Sequence, residues 1–160
     1  MIEMKVNGLA IDSASKMPVV ILTDKEEKRF LPIWIGVYEA DAILVALESI
    51  EVPRPMTHDL IKTMLETLEI EVDRVAIHEI KNNTFFAKIH LIKDGKQFEI
   101  DSRPSDAIAL ALRLEADIFV SEQVIMEATI MDKDKYEKEM KEFKEFLKDI
   151  KPSDFSNYKE

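Results

Sequence analysis

The feature that most constrains this chain is an internal echo at a shift of 65 residues. Ile35 falls on Ile100, Asp41-Ala42-Ile43 on Asp106-Ala107-Ile108, and Ala46-Leu47 on Ala111-Leu112. In each half the match sits where a strand-like run gives way to helix formers. A repeated strand-to-helix junction reads as the duplication of one supersecondary unit, in which each copy covers part of a shared core. The flanking sequence agrees. Met4 to Ile11 alternates in part, Pro18 to Leu22 is a short buried run, and Phe30 to Ile35 returns after the polar turn Asp24-Lys25-Glu26-Glu27. These read as three strands. Pro32 lacks an N–H and puts the third strand at an edge or a bulge. Gly36 ends it, and Glu39 to Leu47 reads as a helix. In the second half Val72 to Ile80, Phe85 to Ile92 and Phe98 to Asp101 read as strands, with Asp94-Gly95 as a hairpin turn. Pro104 to Arg113 reads as the helix, with Pro104 at its first position.

Between the copies lies the stiff loop Val52-Pro53-Arg54-Pro55-Met56. Thr57 is the expected cap of an amphipathic helix over His58 to Glu69, with Leu60, Ile61, Met64, Leu65 and Leu68 expected inward. Ile118 to Val120 reads as a short strand, and Ser121 as the cap of a short helix reaching about Ala128. Beyond it, Tyr136, Met140, Phe143, Leu147 and Ile150 form an apolar stripe on a charged helix. That stripe suits docking on the domain's own surface, and its spacing also suits a homodimer contact. The expected fold class is α+β: a duplicated strand-strand-strand-helix unit forming a mixed or antiparallel sheet packed with helices, plus a C-terminal amphipathic helix. The expected organisation is one domain over residues 1–131, with copies at about 2–50 and 71–115, and a charged helix and tail over 132–160.

Composition narrows the function classes. With no Cys among 160 residues there is no disulfide framework and no thiolate metal site. No apolar run is long enough to span a bilayer, and Met1-Ile2-Glu3-Met4-Lys5 lacks the pattern of a signal peptide, so no membrane role and a cytoplasmic location are expected. Abundant Lys and Glu with only three Gly resemble a thermophile surface with short loops. The net charge of −10 is concentrated in residues 1–131, which carry 14 basic and 23 acidic groups. The basic residues are scattered, so nucleic acid as a partner must rest on a small local site or on metal ions, not on a basic patch. P-loop, GxGxxG, HExxH and GxSxG motifs are all missing, and no nucleotide cofactor is expected.

Functional groups concentrate at three helix mouths: Gly36 to Asp41, Arg54 to Asp59, and Asp101 to Asp106. Helix N-termini offer free N–H groups and a positive dipole end to anions. Asp41 and Asp106 occupy the same place in both copies, and their favourable placement near the dipole is explanation enough for each. The positions that differ between copies are the better functional candidates: Gly36 against Asp101, Tyr38 against Arg103, Glu39 against Pro104. His58 suits a general acid or base, and Arg54 and Arg103 suit a phosphate clamp. Asp59, Glu39 and Asp101 suit a divalent cation such as Mg²⁺ or Mn²⁺. The competing account leaves His58 merely exposed beside a capped helix. His78 and His90 read as ordinary strand residues.

At these segments the chain resembles the bifunctional nuclease domain family. The resembling stretches are Leu31-Pro32-Ile33-Trp34-Ile35-Gly36 into Glu39-Ala40, Arg54-Pro55-Met56-Thr57-His58-Asp59-Leu60, and Asp101-Ser102-Arg103-Pro104-Ser105-Asp106-Ala107-Ile108-Ala109-Leu110-Ala111. Phe143 to Leu147 and Pro152 to Phe155 extend the likeness into the tail. The resemblance implies hydrolysis of DNA and RNA. Its motif positions here are Glu39, Arg54, His58, Asp59, Asp101, Arg103 and Ser105, with His58, Asp59 and Glu39 as the catalytic candidates. Arg54, Arg103 and Ser105 are the phosphate-binding candidates, and Asp101 with Asp59 or Glu39 the metal candidate. The alternative from another class is a non-catalytic oligomeric module that binds a protein or a small anionic ligand.

Overall fold

The computed structural model of the chain describes residues 1–128, 140–146 and 148. Its elements run β1 (Ile2–Ile11), β2 (Pro18–Asp24), β3 (Phe30–Trp34), α1 (Val37–Leu47), α2 (Thr57–Thr67), β4 (Glu71–Lys81), β5 (Thr84–Lys93), β6 (Lys96–Ser102), α3 (Pro104–Leu114), β7 (Asp117–Val120) and α4 (Glu122–Glu127). The expected strand-strand-strand-helix order appears twice, as β1-β2-β3-α1 and β4-β5-β6-α3, and the fold class is α+β.

All seven strands form one mixed sheet in the order β3-β2-β1-β7-β4-β5-β6. Each half is an antiparallel meander, and β7 is inserted between them, antiparallel to β1 and parallel to β4. Asp94 and Gly95 close the β5–β6 hairpin with φ of 50° and 73°, the double positive φ that a two-residue hairpin with right-handed strand twist requires. Pro32 lies on β3, an edge strand, where its missing N–H costs no central ladder bond.

Helices α1 and α3 pack against one another over the sheet, and α2 packs on α3. The core beneath them is built from Val20, Leu22, Leu31 and Ile33 of the first half and Val75, Ile77 and Ala87 of the second, with Ile43, Ala107, Ile108 and Ala111 from the helices. Small residues on α3 let the two helices approach closely. On the other side of the first meander, Ala10, Val19, Ile21 and Phe30 pack with Met140. Residues 140–146 are helical. Tyr136, Leu147 and Ile150 of the expected C-terminal stripe lie outside the described residues. No helix among the described residues is long and apolar enough to cross a membrane.

Two local expectations change. Met56, not Thr57, is the cap residue of α2, and the Asp59 carboxylate accepts its backbone N–H at 2.9 Å. Leu60, Met64 and Leu68 do not face inward. They are 50%, 54% and 57% exposed, and His58 is the one buried residue of α2. Helical spacing reports which residues share a stripe, not whether that stripe meets the chain's own core. Ser121 caps α4 as expected, its hydroxyl accepting from the Val124 N–H at 3.1 Å.

Candidate functional site

The N-terminal ends of α1, α2 and α3 converge. Residues from all three line a cavity of about 280 Å³: Tyr38, Glu39, Asp41, Met56, His58, Arg103 and Asp106 among them. A second cavity of about 270 Å³ lies on the other side of Glu39 and Arg103, with Trp34, Gly36, Phe85 and Ser105 in its wall. The duplication accounts for this arrangement. Each copy delivers a helix N-terminus to the same side of the sheet, and α2 lays a third beside them.

Asp106 organises the polar groups. His58 Nε2 lies 2.9 Å from Asp106 Oδ1. Arg103 donates from Nε to Asp106 Oδ2 at 2.9 Å, from Nη2 to Oδ1 at 3.3 Å, and from Nη1 to Glu39 Oε1 at 2.9 Å. Because the carboxylate only accepts, the His58 nitrogen facing it carries the proton. The other nitrogen, Nδ1, has no protein hydrogen-bond partner among the described residues. Burial pushes the Asp106 carboxyl up, but the hydrogen bonds from Arg103 and His58 outweigh it and hold it below the usual carboxylate range. The hydrogen bonds to Asp106 and then Glu39 raise Arg103 further above its already high value.

Gly36 explains how Glu39 reaches Arg103. A Cβ on Gly36 would collide with Glu39 Oε2, so the carboxylate folds back over the bare backbone at the mouth of α1. At the corresponding place in the second copy, Pro104 opens α3 and Arg103 precedes it.

A second ion pair braces the helices one layer deeper. Arg113, with its side chain only 5% exposed, donates from Nε to Asp59 Oδ1 at 2.7 Å and from Nη1 to the carbonyls of Ala42 and Ala109 at 3.0 and 2.9 Å. One guanidinium thereby ties α1, α2 and α3. Burial raises Asp59, and the hydrogen bonds from Arg113 and the Met56 N–H reverse that and leave it low.

Of the expected site residues, Glu39, His58 and Arg103 meet at the first cavity and Ser105 lines the second. Asp59 is turned to Arg113 as a structural brace. Arg54 is exposed, lines neither cavity and makes no ion pair among the described residues. Asp101 is on the other face of the sheet: it pairs with Lys88, whose neighbours Ala87 and Ile89 pack under the helices. The expected cation site of Asp101 with Asp59 or Glu39 is therefore not assembled. No three His, Cys, Asp or Glu side chains among the described residues converge as a metal site. Two participants were not anticipated in these roles, Asp106 and Arg113. At the shift of 65, Arg113 falls opposite Glu48, a charge reversal that the comparison of copies contained.

The sequence model of the bifunctional nuclease domain matches residues 20–133. An uncharacterized protein of Mycobacterium tuberculosis is 37% identical over 162 residues, covering 96% of this chain and 97% of that protein. Bifunctional nuclease 1 of Oryza sativa subsp. japonica is 30% identical over 116 residues, covering 71% of this chain but 35% of the plant protein. Bifunctional nuclease 1 of Arabidopsis thaliana is 27% identical over 113 residues, again spanning 35% of its length.

Proposed function

The chain belongs to the bifunctional nuclease domain family, and from that premise we propose that the cavity between α1, α2 and α3 hydrolyses phosphodiester bonds of DNA and RNA. The observation that carries the proposal is the His58–Asp106–Arg103 constellation at a three-helix mouth. Asp106 holds His58 in the tautomer that leaves a lone pair on Nδ1, and it would stabilise the imidazolium formed on proton uptake. His58 then acts as the base toward the attacking hydroxyl or water.

Arg103 supplies the charge for the transition state. A guanidinium has five N–H donors. Three are engaged by Asp106 and Glu39. The remaining donors and a side chain 64% exposed suit a phosphate oxygen. A site of this size accounts for how a chain of net charge −10 could act on a polyanion. Among the described residues no three His, Cys, Asp or Glu side chains gather to hold a resident metal, and no step is routed through one.

A second reading keeps a specific observation in its favour. His58 and Arg103 are both paired to carboxylates, as in a binding module where those pairs only hold the helices together. Cleavage of single-stranded and duplex DNA and RNA, with Mg²⁺, Mn²⁺ or EDTA, separates the two. The nuclease reading expects cutting that Arg103→Ala weakens strongly. Absence of cutting on all four substrates under every condition leaves the module.

A further inference from the structure

We infer that the β6 edge and the adjoining flank of α2 form the self-association surface of this protein, and that their occupant is a second copy of the chain related by a twofold axis. The inference does not rest on the proposed nuclease activity.

At the shift of 65, Ile33 and Ile35 of the first half correspond to Phe98 and Ile100 of the second. Ile33 and Ile35 are 3% and 6% exposed, whereas Phe98 and Ile100 are each 48% exposed. Two apolar positions of the same unit are covered by the chain in one half and left open in the other. The edges differ in the same way. On β3 the first four residues are buried, whereas on β6 all but Ser102 are exposed. An exposed edge with apolar side chains is a template for pairing.

Helix α2 carries a second apolar feature. Leu60, Met64 and Leu68 recur at every fourth residue and form one ridge. On a helical projection this ridge lies away from Asp59, which faces α3, so it is on the outer flank of the helix layer. Lys93 Nζ donates to the Leu68 carbonyl at 2.7 Å, which fixes the end of α2 beside the end of β5. Phe98 pairs with Leu91 and Ile100 with Ile89, and Ile89 packs under the helices. The ridge and the apolar face of β6 therefore open at the same end of the sheet.

A second copy suits both features at once. A twofold axis perpendicular to the sheet extends it through antiparallel β6 pairing and sets the two α2 ridges against each other. An antiparallel ridge centred on Met64 places Leu60 against Leu68 of the second copy. The uncharged, exposed Thr63 and Thr67 flank the ridge on its solvent side. In a β6 register that sets Phe98 against Ile100 of the second copy, Glu99 meets its own equivalent. Each Glu99 is already neutralised by Lys88 at 2.8 Å.

The area is of the right size. Five half-exposed large side chains leave on the order of 500 Å² of apolar surface, the scale of the largest patches on monomers and the apolar centre of a standard interface of about 800 Å² per partner. The described helix at 140–146 does not compete, since Met140 packs against Ala10, Val19, Ile21 and Phe30 of the first meander. Pairing would also brace α2, whose single buried residue is His58.

Light scattering on the full chain at micromolar concentration tests this. The expected mass is twice the 18.5 kDa of one chain. Met64→Glu and Phe98→Glu should each halve it with unchanged circular dichroism, because both side chains are already about half exposed. A wild-type mass of one chain overturns the inference, and so does a dimer that survives both substitutions. Should a variant misfold, hydrogen exchange on the wild type decides: amides of residues 97–101 should gain protection between dilute and concentrated samples, and equal protection at both overturns it.

Discussion

At the residue scale the central object is Asp106, which accepts from Arg103 and holds His58. Its counterpart Asp41 in the other copy made both look like helix-dipole residues, and that equivalence concealed the difference. Asp106 has a partner 48 residues away on α2, which no local pattern displays. Gly36, by contrast, stood out as a departure between copies, and the structure supplies the reason in the close approach of Glu39. Gly36→Ala should displace a flexible carboxylate at a stability cost under about 1 kcal/mol. It should slow cleavage by on the order of tenfold to a hundredfold through a misplaced Arg103. A urea midpoint beside a cleavage rate reads both. The depressed Asp59 and Asp106 carboxyls carry a further consequence. Both bind protons more weakly folded than unfolded, so the stability they lend is complete above their ordinary value of 3.8 and lost as pH falls through the lower folded values. The thermal midpoint should hold from neutral to about pH 4 and then fall. Asp106→Asn should fall less steeply there.

At the element scale, α2 is the part that sequence described least well. Its existence and approximate ends follow from a proline-bounded loop and an amphipathic run. Its orientation does not, because Leu60, Met64 and Leu68 satisfy helical periodicity whether they meet the chain's own core or another surface. What fixes α2 is polar: the Asp59–Arg113 pair and the His58–Asp106 contact. Strands and hairpin were more legible, since Asp94-Gly95 and Pro32 each carry a backbone requirement that only certain positions meet. Arg113→Met should remove the tie among three helices and leave the Asp59 carboxylate with the Met56 N–H as its one hydrogen-bond donor among the described residues. The expected cost is about 1–3 kcal/mol, the scale for stranding a partly buried hydrogen-bonded charge. It should appear as a lower urea midpoint with an unchanged slope.

For the whole molecule, the duplication explains both the architecture and the location of the candidate site. Two meanders on either side of β7 carry α1 and α3 to one face, and their N-termini meet where α2 lies across them. Sequence marked three helix mouths, whose residues line one cavity in the structure, but could not say which side of the sheet each residue takes. Asp101 belongs to a motif beside Arg103, yet strand alternation sends it to the opposite face. Arg54 shares a motif with His58, yet stays in solvent. The measurement that bears most directly on the account is the rate of RNA and DNA cleavage by wild type and by His58→Ala, purified identically. The account expects a loss of about a hundredfold to ten-thousandfold in the variant, the range for removing a general base. Equal rates in the two proteins would contradict it.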